Sequence, residues 1–132
     1  GKMHLNPQAQ PVPGTVIWLF ESSVWFFNAD AFRRRAREVI EQAGDATWFV
    51  LDAEAMTQAD ADAIEALYEL RRELRDRGMV LLVAGGHGQF RMALDRSGLA
   101  DRIGRDKIFA SPEQAVEAIE RWRQGPAPDT LS

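Results

Sequence analysis

The sequence has no cysteine and only two histidines among its 132 residues. The missing cysteines exclude disulfide bonds, thiolate metal sites and a cysteine nucleophile. The two histidines, His4 and His87, leave almost no room for a histidine-based zinc site, because zinc in proteins takes three or four protein ligands. We therefore expect neither a metal ion nor a cofactor.

Positive charge and long apolar runs are also scarce. The 16 Lys and Arg residues are outnumbered by 20 Asp and Glu residues, which gives a net charge of −4. A nucleic-acid-binding domain needs a positive surface to meet phosphates, so such a partner is not expected. No stretch approaches the roughly 20 apolar residues that cross a bilayer, and no signal peptide is visible. With 45% hydrophobic residues, the composition predicts one globular domain.

Proline and glycine gather at the two ends of the chain. Residues 4–14 hold three prolines and one glycine, and residues 125–132 hold one glycine and two prolines. Such segments are typical of linkers and tails. The first three residues resemble a remnant of an expression vector. We therefore expect a linker with a vector-derived start at residues 1–13, one folded domain at 14–124 and a C-terminal tail at 125–132.

Between these ends, short apolar runs alternate with amphipathic stretches. The runs of strand length are residues 15–20, 24–27, 48–51, 79–83 and 108–109. The run at 48–51 is apolar without interruption, which is typical of a strand that is covered on both faces. Strands that alternate with helices predict the α/β class, here a four- or five-stranded, mostly parallel sheet with about four helices packed on it.

Local signals place the ends of the expected helices. Asn28 is the expected N-cap of the first helix and Gly44 its C-cap. Gly78 ends the second helix, in which leucines recur at helical spacing. Ser111 and Gln114 match a capping box at the start of the last helix.

The charged residues are unevenly distributed. Every charged residue from Glu38 to Leu70 is acidic, and four arginines follow at once. These arginines are Arg71, Arg72, Arg75 and Arg77. Two interpretations remain open at this point, namely ordinary solvated helix faces and a polarised surface that docks a partner.

Three aspartates mark the passage from a buried strand to the second helix. Asp52 ends the strand, Asp60 is the expected N-cap, and Asp62 falls in the first helical turn. A carboxylate there is favoured by the exposed N–H groups and the helix dipole. Ordinary capping explains the pattern, and so does a ligand or switch point at the carboxyl end of the sheet. A magnesium site is a third, weaker alternative, because nothing else resembles a phosphoryl-transfer site.

The second motif is the loop Gly85-Gly86-His87-Gly88, which follows a strand and opens a helix. Its N–H groups suggest a phosphate-binding loop, although it matches neither the P-loop nor the dinucleotide-binding pattern. A tight turn is the alternative, with His87 as an exposed turn residue. Since no nucleophile lies beside His87 in the sequence, catalysis is not expected, and a small enzyme or phosphate-binding module using this loop is the least favoured hypothesis.

These motifs together resemble the STAS domain, a module of sulfate transporters and of anti-sigma-factor antagonists. The resemblance covers about residues 14–123 and depends on the order and spacing of loose motifs. The segments that carry it are Trp48 to Asp52, Asp60-Ala61-Asp62-Ala63-Ile64, Met79 to Ala84, Leu94-Asp95-Arg96-Ser97-Gly98-Leu99, and Ile108 to Ala115.

Within that family, Phe26-Phe27-Asn28-Ala29 resembles the SulP anion-transporter branch. This resemblance implies a non-catalytic regulatory domain on the cytoplasmic face of the membrane. Its expected partners are the transmembrane portion of its own transporter and a cytosolic protein. The expected interaction surface is Thr57, Asp60, Asp62 and Ile64, and GTP or ATP is a candidate ligand at Gly85–Gly88.

The sequence departs from the antagonist branch at one position. The residue that matches Asp62 is there a serine or threonine that a kinase phosphorylates, and an aspartate cannot accept phosphate. The alternative function, a free-standing antagonist-like signalling protein, would therefore have Asp62 imitating the phosphorylated form.

Overall fold

The computed structural model describes residues 12–21 and 27–125. In these ranges four strands form one sheet in the order β1-β2-β3-β4, and every neighbouring pair is parallel. The strands are β1 (Thr15–Leu19), β2 (Trp48–Asp52), β3 (Val80–Ala84) and β4 (Ile108–Phe109). Most of the strand expected at 24–27 lies outside the described residues.

The described helices number five, with one short 3-10 turn at Arg105–Lys107. They are α1 (Ala29–Ala43), α2 (Ala61–Asp76), α3 (Gln89–Arg96), α4 (Leu99–Ile103) and α5 (Pro112–Gln124). The α/β class and the parallel sheet are confirmed. The five-residue α4 was not expected, because it is too short to show a helical period in the sequence. It follows Gly98, whose φ of 83° turns the chain after α3.

The local capping signals are confirmed. Asn28 Oδ1 accepts a hydrogen bond from Ala31 N–H at 3.0 Å, and Gly44 ends α1 with a φ of 63°. At the start of α5, Ser111 Oγ accepts from Gln114 N–H at 3.2 Å. The amide oxygen of Gln114 accepts from Ala110 N–H, one residue before the cap, so the reciprocal bond of the capping box is shifted by one residue.

Two apolar layers cover the sheet. Phe49 and Leu51 of β2 face the larger core, which contains the buried sides of α1 to α4. Trp48 and Val50 face α5 on the other side. All five residues of β2 are buried, as expected of a central strand in a parallel sheet. In the ranges described, no helix is both long and apolar enough to cross a membrane.

Candidate functional site

Asp52 lies at the carboxyl edge of the sheet, beside Ala84 of β3 in register. Its side chain is buried, and its Oδ1 accepts a hydrogen bond from Glu54 N–H at 3.0 Å. The next N–H group, that of Ala53, donates to the carbonyl of Ala84 at 2.7 Å. The Asp52 carboxylate therefore fixes the turn by which the chain leaves the sheet.

The loop between β2 and α2 is anchored at its first half. Ala53 and Met56 are buried, and Met56 N–H donates to the Ala53 carbonyl at 2.9 Å. Thr57 follows directly and is exposed. The buried methionine thus holds Thr57 at the surface just before α2 begins.

The start of α2 carries the two remaining aspartates. Asp60 Oδ1 accepts from Ala63 N–H at 2.9 Å, which confirms Asp60 as the N-cap. Asp62 is exposed in the first turn. Among the residues that the structure describes, no three acidic or histidine side chains are placed to hold a metal ion. The magnesium alternative for the three aspartates therefore finds no support.

The two aspartates at the start of α2 should contribute unequally to stability. Asp60→Ala is expected to lower the free energy of unfolding by about 1 kcal/mol, because Ala63 N–H loses its partner. Asp62→Ala should cost less, because the loss of an exposed charge beside the helix dipole, worth roughly 0.3–1 kcal/mol, is partly offset by the higher helix propensity of alanine. Urea denaturation of both variants measures this difference, and equal losses would contradict the capping assignment.

A groove runs between the start of α2 and the outer side of α3. It measures about 560 Å³ and opens to solvent. Its lining includes the N-cap Asp60, Ile64 from α2, and Met92 and Arg96 from α3. Ile64 is half-buried against the core, and Met92 is 45% exposed. Two of the predicted site residues, Asp60 and Ile64, therefore share one surface with an exposed methionine.

A hydrogen bond links α2 to the end of α3. The Tyr68 hydroxyl on α2 donates to the carbonyl of Ser97, just after α3, at 2.9 Å. The sequence analysis did not predict that α3 lines this groove. Met92 could have indicated it, because Phe90 and Leu94 form the buried face of α3 and Met92 therefore lies on its outer face.

The glycine loop does not line this groove. Gly85 and Gly86 are buried with φ values of 82° and 85°, whereas His87 and Gly88 are exposed. A Cβ on Gly85 would lie 2.7 Å from Glu54 Cγ, and one on Gly86 would overlap the ring of Phe90. Gly85 N–H already donates to the Phe109 carbonyl at 2.9 Å. Close packing therefore explains the first two glycines.

Comparison with known proteins shows which family the chain is similar to. The family model described as STAS domain matches residues 6–115. A relative from Mycobacterium tuberculosis, named as a sulfate transporter, is 42% identical over 116 residues. That alignment covers 87% of this chain and 21% of the relative. The chain thus spans about a fifth of the length of this relative.

Two solved structures share the fold. A sulfate transporter family protein from Wolinella succinogenes has a TM-score of 0.75 at 23% identity, covering 91% of this chain and 99% of its own. The murine Slc26a9 anion transporter has a TM-score of 0.75 at 22% identity, covering 89% of this chain and 20% of its own. At these identities the likeness concerns the fold.

Proposed function

The chain belongs to the STAS domain family, and from that premise we propose that it is the non-catalytic regulatory domain of a SulP-type sulfate or anion transporter. Relatives of this chain are named as sulfate transporters, and the chain corresponds to a small share of their length. The proposed partner is the transmembrane portion of its own transporter, and the proposed location is the cytoplasmic face of the membrane.

The groove beside the start of α2 supports this proposal most directly. We call Thr57, Asp60, Asp62, Ile64 and Met92 the docking surface. It combines an exposed methionine and a half-buried isoleucine with two carboxylates on the α2 side. Cytoplasmic loops of membrane proteins carry an excess of lysine and arginine. A basic loop with one apolar side chain complements the α2 side of this surface in charge and polarity, whereas Arg96 leaves the α3 side of the groove positive.

A role without turnover agrees with how the acidic side chains are used. Asp52 and Asp60 both accept hydrogen bonds from backbone N–H groups of their own loop or helix. General acid–base chemistry needs a carboxylate that faces a substrate. These two carboxylates instead stabilise the turn after β2 and the start of α2. The proposed activity is therefore contact with a partner.

The test is sulfate uptake by the full transporter reconstituted in liposomes. The double variant Asp62→Lys with Met92→Lys alters only exposed positions. It replaces the negative charge at position 62 by a positive one and adds a positive charge at position 92, which lines the groove. We expect uptake to fall by about tenfold, the change that corresponds to about 1.4 kcal/mol of contact energy.

The matched control is Glu113→Lys with Glu117→Lys, two exposed positions of α5 on the other side of the sheet. Its uptake should match that of the unmodified transporter at equal protein in the membrane. Unchanged uptake in the docking variant, or an equal loss in the control, would refute the proposed surface.

A second candidate function rests on Asp62. Its carboxylate is exposed in the first turn of α2, at the position where the antagonist branch that the sequence resembles carries a phosphorylatable hydroxyl. A free-standing antagonist-like protein with this residue would hold the charge of the phosphorylated form permanently. The similarity to named sulfate transporters over most of the chain favours the transporter function. Nucleotide binding at Gly85–Gly88 stays a prediction, since packing explains two of its glycines.

A further inference from the structure

Helices α1 and α2 lie side by side on one face of the sheet and are joined by two ion pairs. Arg33 Nε donates to Glu69 Oε2 at 2.6 Å. Nearer the end of both helices, Arg77 Nη2 donates to Glu41 Oε1 at 2.7 Å. Both pairs join residues that are 36 positions apart in the chain. The two helices therefore run in the same direction, with the ion pairs at two matching levels.

A third pair of opposite charges lies halfway between these two levels and is not joined. Arg37 on α1 and Glu73 on α2 follow the first ion pair by about one helical turn and precede the second by about one turn. In the described ranges, no ion pair connects either of them to another residue. The helices are thus close enough for ion pairs above and below this level, whereas the level itself stays open.

A groove occupies the open level. It measures about 330 Å³, which is at the lower end of the range for small-molecule sites, roughly 300–1,000 Å³. Its floor is apolar and buried, and it includes two alanines, whose short side chains leave room between the helices. The floor residues are Phe32, Ala36, Ala66 and Leu70. We call this the α1–α2 groove, and it shares no residue with the docking surface.

The rim of the α1–α2 groove carries charges of both signs. Arg37 is exposed on α1, and Arg72 and Glu73 are exposed on α2. Like the other two, Arg72 forms no ion pair within the part of the chain that the structure describes. A simple anion would be repelled by Glu73, and a simple cation would be repelled by the two arginines. A molecule that carries a carboxylate and an ammonium group together suits both signs.

From this geometry we propose that the α1–α2 groove binds a free α-amino acid, a zwitterion whose two charged groups are attached to one carbon. Its carboxylate pairs with the Arg37 guanidinium, whose planar N–H donors match two oxygens at once, and Arg72 supplies a second cation. Its ammonium group donates to the Glu73 carboxylate, and its side chain points to the apolar floor. An exposed ion pair contributes little to stability, so little is lost when the ligand keeps Arg37 and Glu73 apart.

The first experiment titrates L-leucine into the isotope-labelled chain at constant ionic strength, with NMR detection of the Nε–H signals of Arg37 and Arg72. We expect saturable shifts with a dissociation constant of about 1 mM. Two analogues carry one charge each, namely 4-methylpentanoate, which lacks the ammonium group, and 3-methylbutylamine, which lacks the carboxylate. Both should bind about tenfold more weakly than leucine. Equal binding of all three molecules would overturn the proposal, because apolar contact alone would then explain the shifts.

Two variants separate the roles of the charged groups. Arg37→Gln should weaken leucine binding about tenfold, because the carboxylate loses its partner. Glu73→Gln should also weaken leucine binding, but it removes the repulsion of anions, so 4-methylpentanoate should bind more tightly than it does to the unmodified chain. The matched controls are Arg34→Gln and Glu38→Gln, which remove the same charges from exposed positions of α1 outside the groove and should leave binding unchanged.

A double-mutant cycle on the free energy of unfolding at Arg37 and Glu73 shows whether the level is open in solution. Without leucine we expect a weaker coupling than between Arg33 and Glu69. Equal coupling would mean that the third ion pair is closed and would overturn the proposal. Shifts that stay linear with leucine, or losses of equal size in the α1 controls, overturn it as well. Since none of these readouts involves transport or the docking surface, the outcome is independent of the proposed function.

Discussion

Gly86→Ala is expected to lower the free energy of unfolding by roughly 2–5 kcal/mol. The backbone at Gly86 has a φ of 85°, which an L side chain rarely adopts, and the new methyl group would overlap Phe90. Phe90 is fully buried, so its ring has no free space into which it can move. Chemical denaturation followed by circular dichroism measures the loss.

Gly88 supplies the matched control for this loop. It also has a positive φ, 54°, but a Cβ there would meet nothing within 4 Å. Gly88→Ala should therefore cost only the backbone strain, roughly 1–3 kcal/mol, which is less than strain and clash together cost at Gly86. If the two alanines cost the same, the clash with Phe90 is not what requires a glycine at position 86.

Phe32→Ala is expected to lower the free energy of unfolding by about 3–5 kcal/mol. Phe32 is fully buried, and its ring lies 5.0 Å from that of Trp18, 5.1 Å from that of Phe20 and 5.3 Å from that of Phe27. Its removal leaves a cavity beneath α1 and changes the surroundings of a buried indole. Denaturation and tryptophan fluorescence would report both effects.

The control for Phe32 is Phe109 on the short edge strand β4. Phe109 is half-buried, and its ring lies 6.3 Å from that of Trp122. Phe109→Ala removes the same atoms from a less enclosed place, so we expect a smaller loss than for Phe32→Ala. A larger loss at Phe109 would show that the core is centred on α5 instead of on α1.

Features with a local cause were predictable from the sequence. Asn28 and Asp60 cap their helices through N–H groups three residues away, and the apolar run at 48–51 forms a strand covered on both faces. Both effects depend on neighbours in the sequence or on simple periodicity. The short α4 was missed because Gly98 and five residues give no such pattern.

The candidate sites were only half predictable, because each depends on segments distant in the chain. Asp60 and Ile64 were identified from their position after a strand, whereas Met92 and Arg96 join them only when α3 packs beside α2. In the same way, the arginine run was visible in the sequence. These arginines lie near Lys107 only because the chain folds back through α4. The spacing of residues in the sequence does not show which distant segments come into contact.

Helix α2 has one further consequence, because it carries Asp60 and Asp62 at its start and Arg71 and Arg75 near its end. A helix of 16 residues is about 24 Å long. That length is about three times the distance over which salt at physiological strength damps a field between exposed charges. Signals between the two ends would therefore have to be mechanical. Any such coupling would require α2 to shift as a rigid body relative to α1. The ion pairs Arg33–Glu69 and Arg77–Glu41, which connect α2 and its C-cap to α1, would have to adjust to that shift.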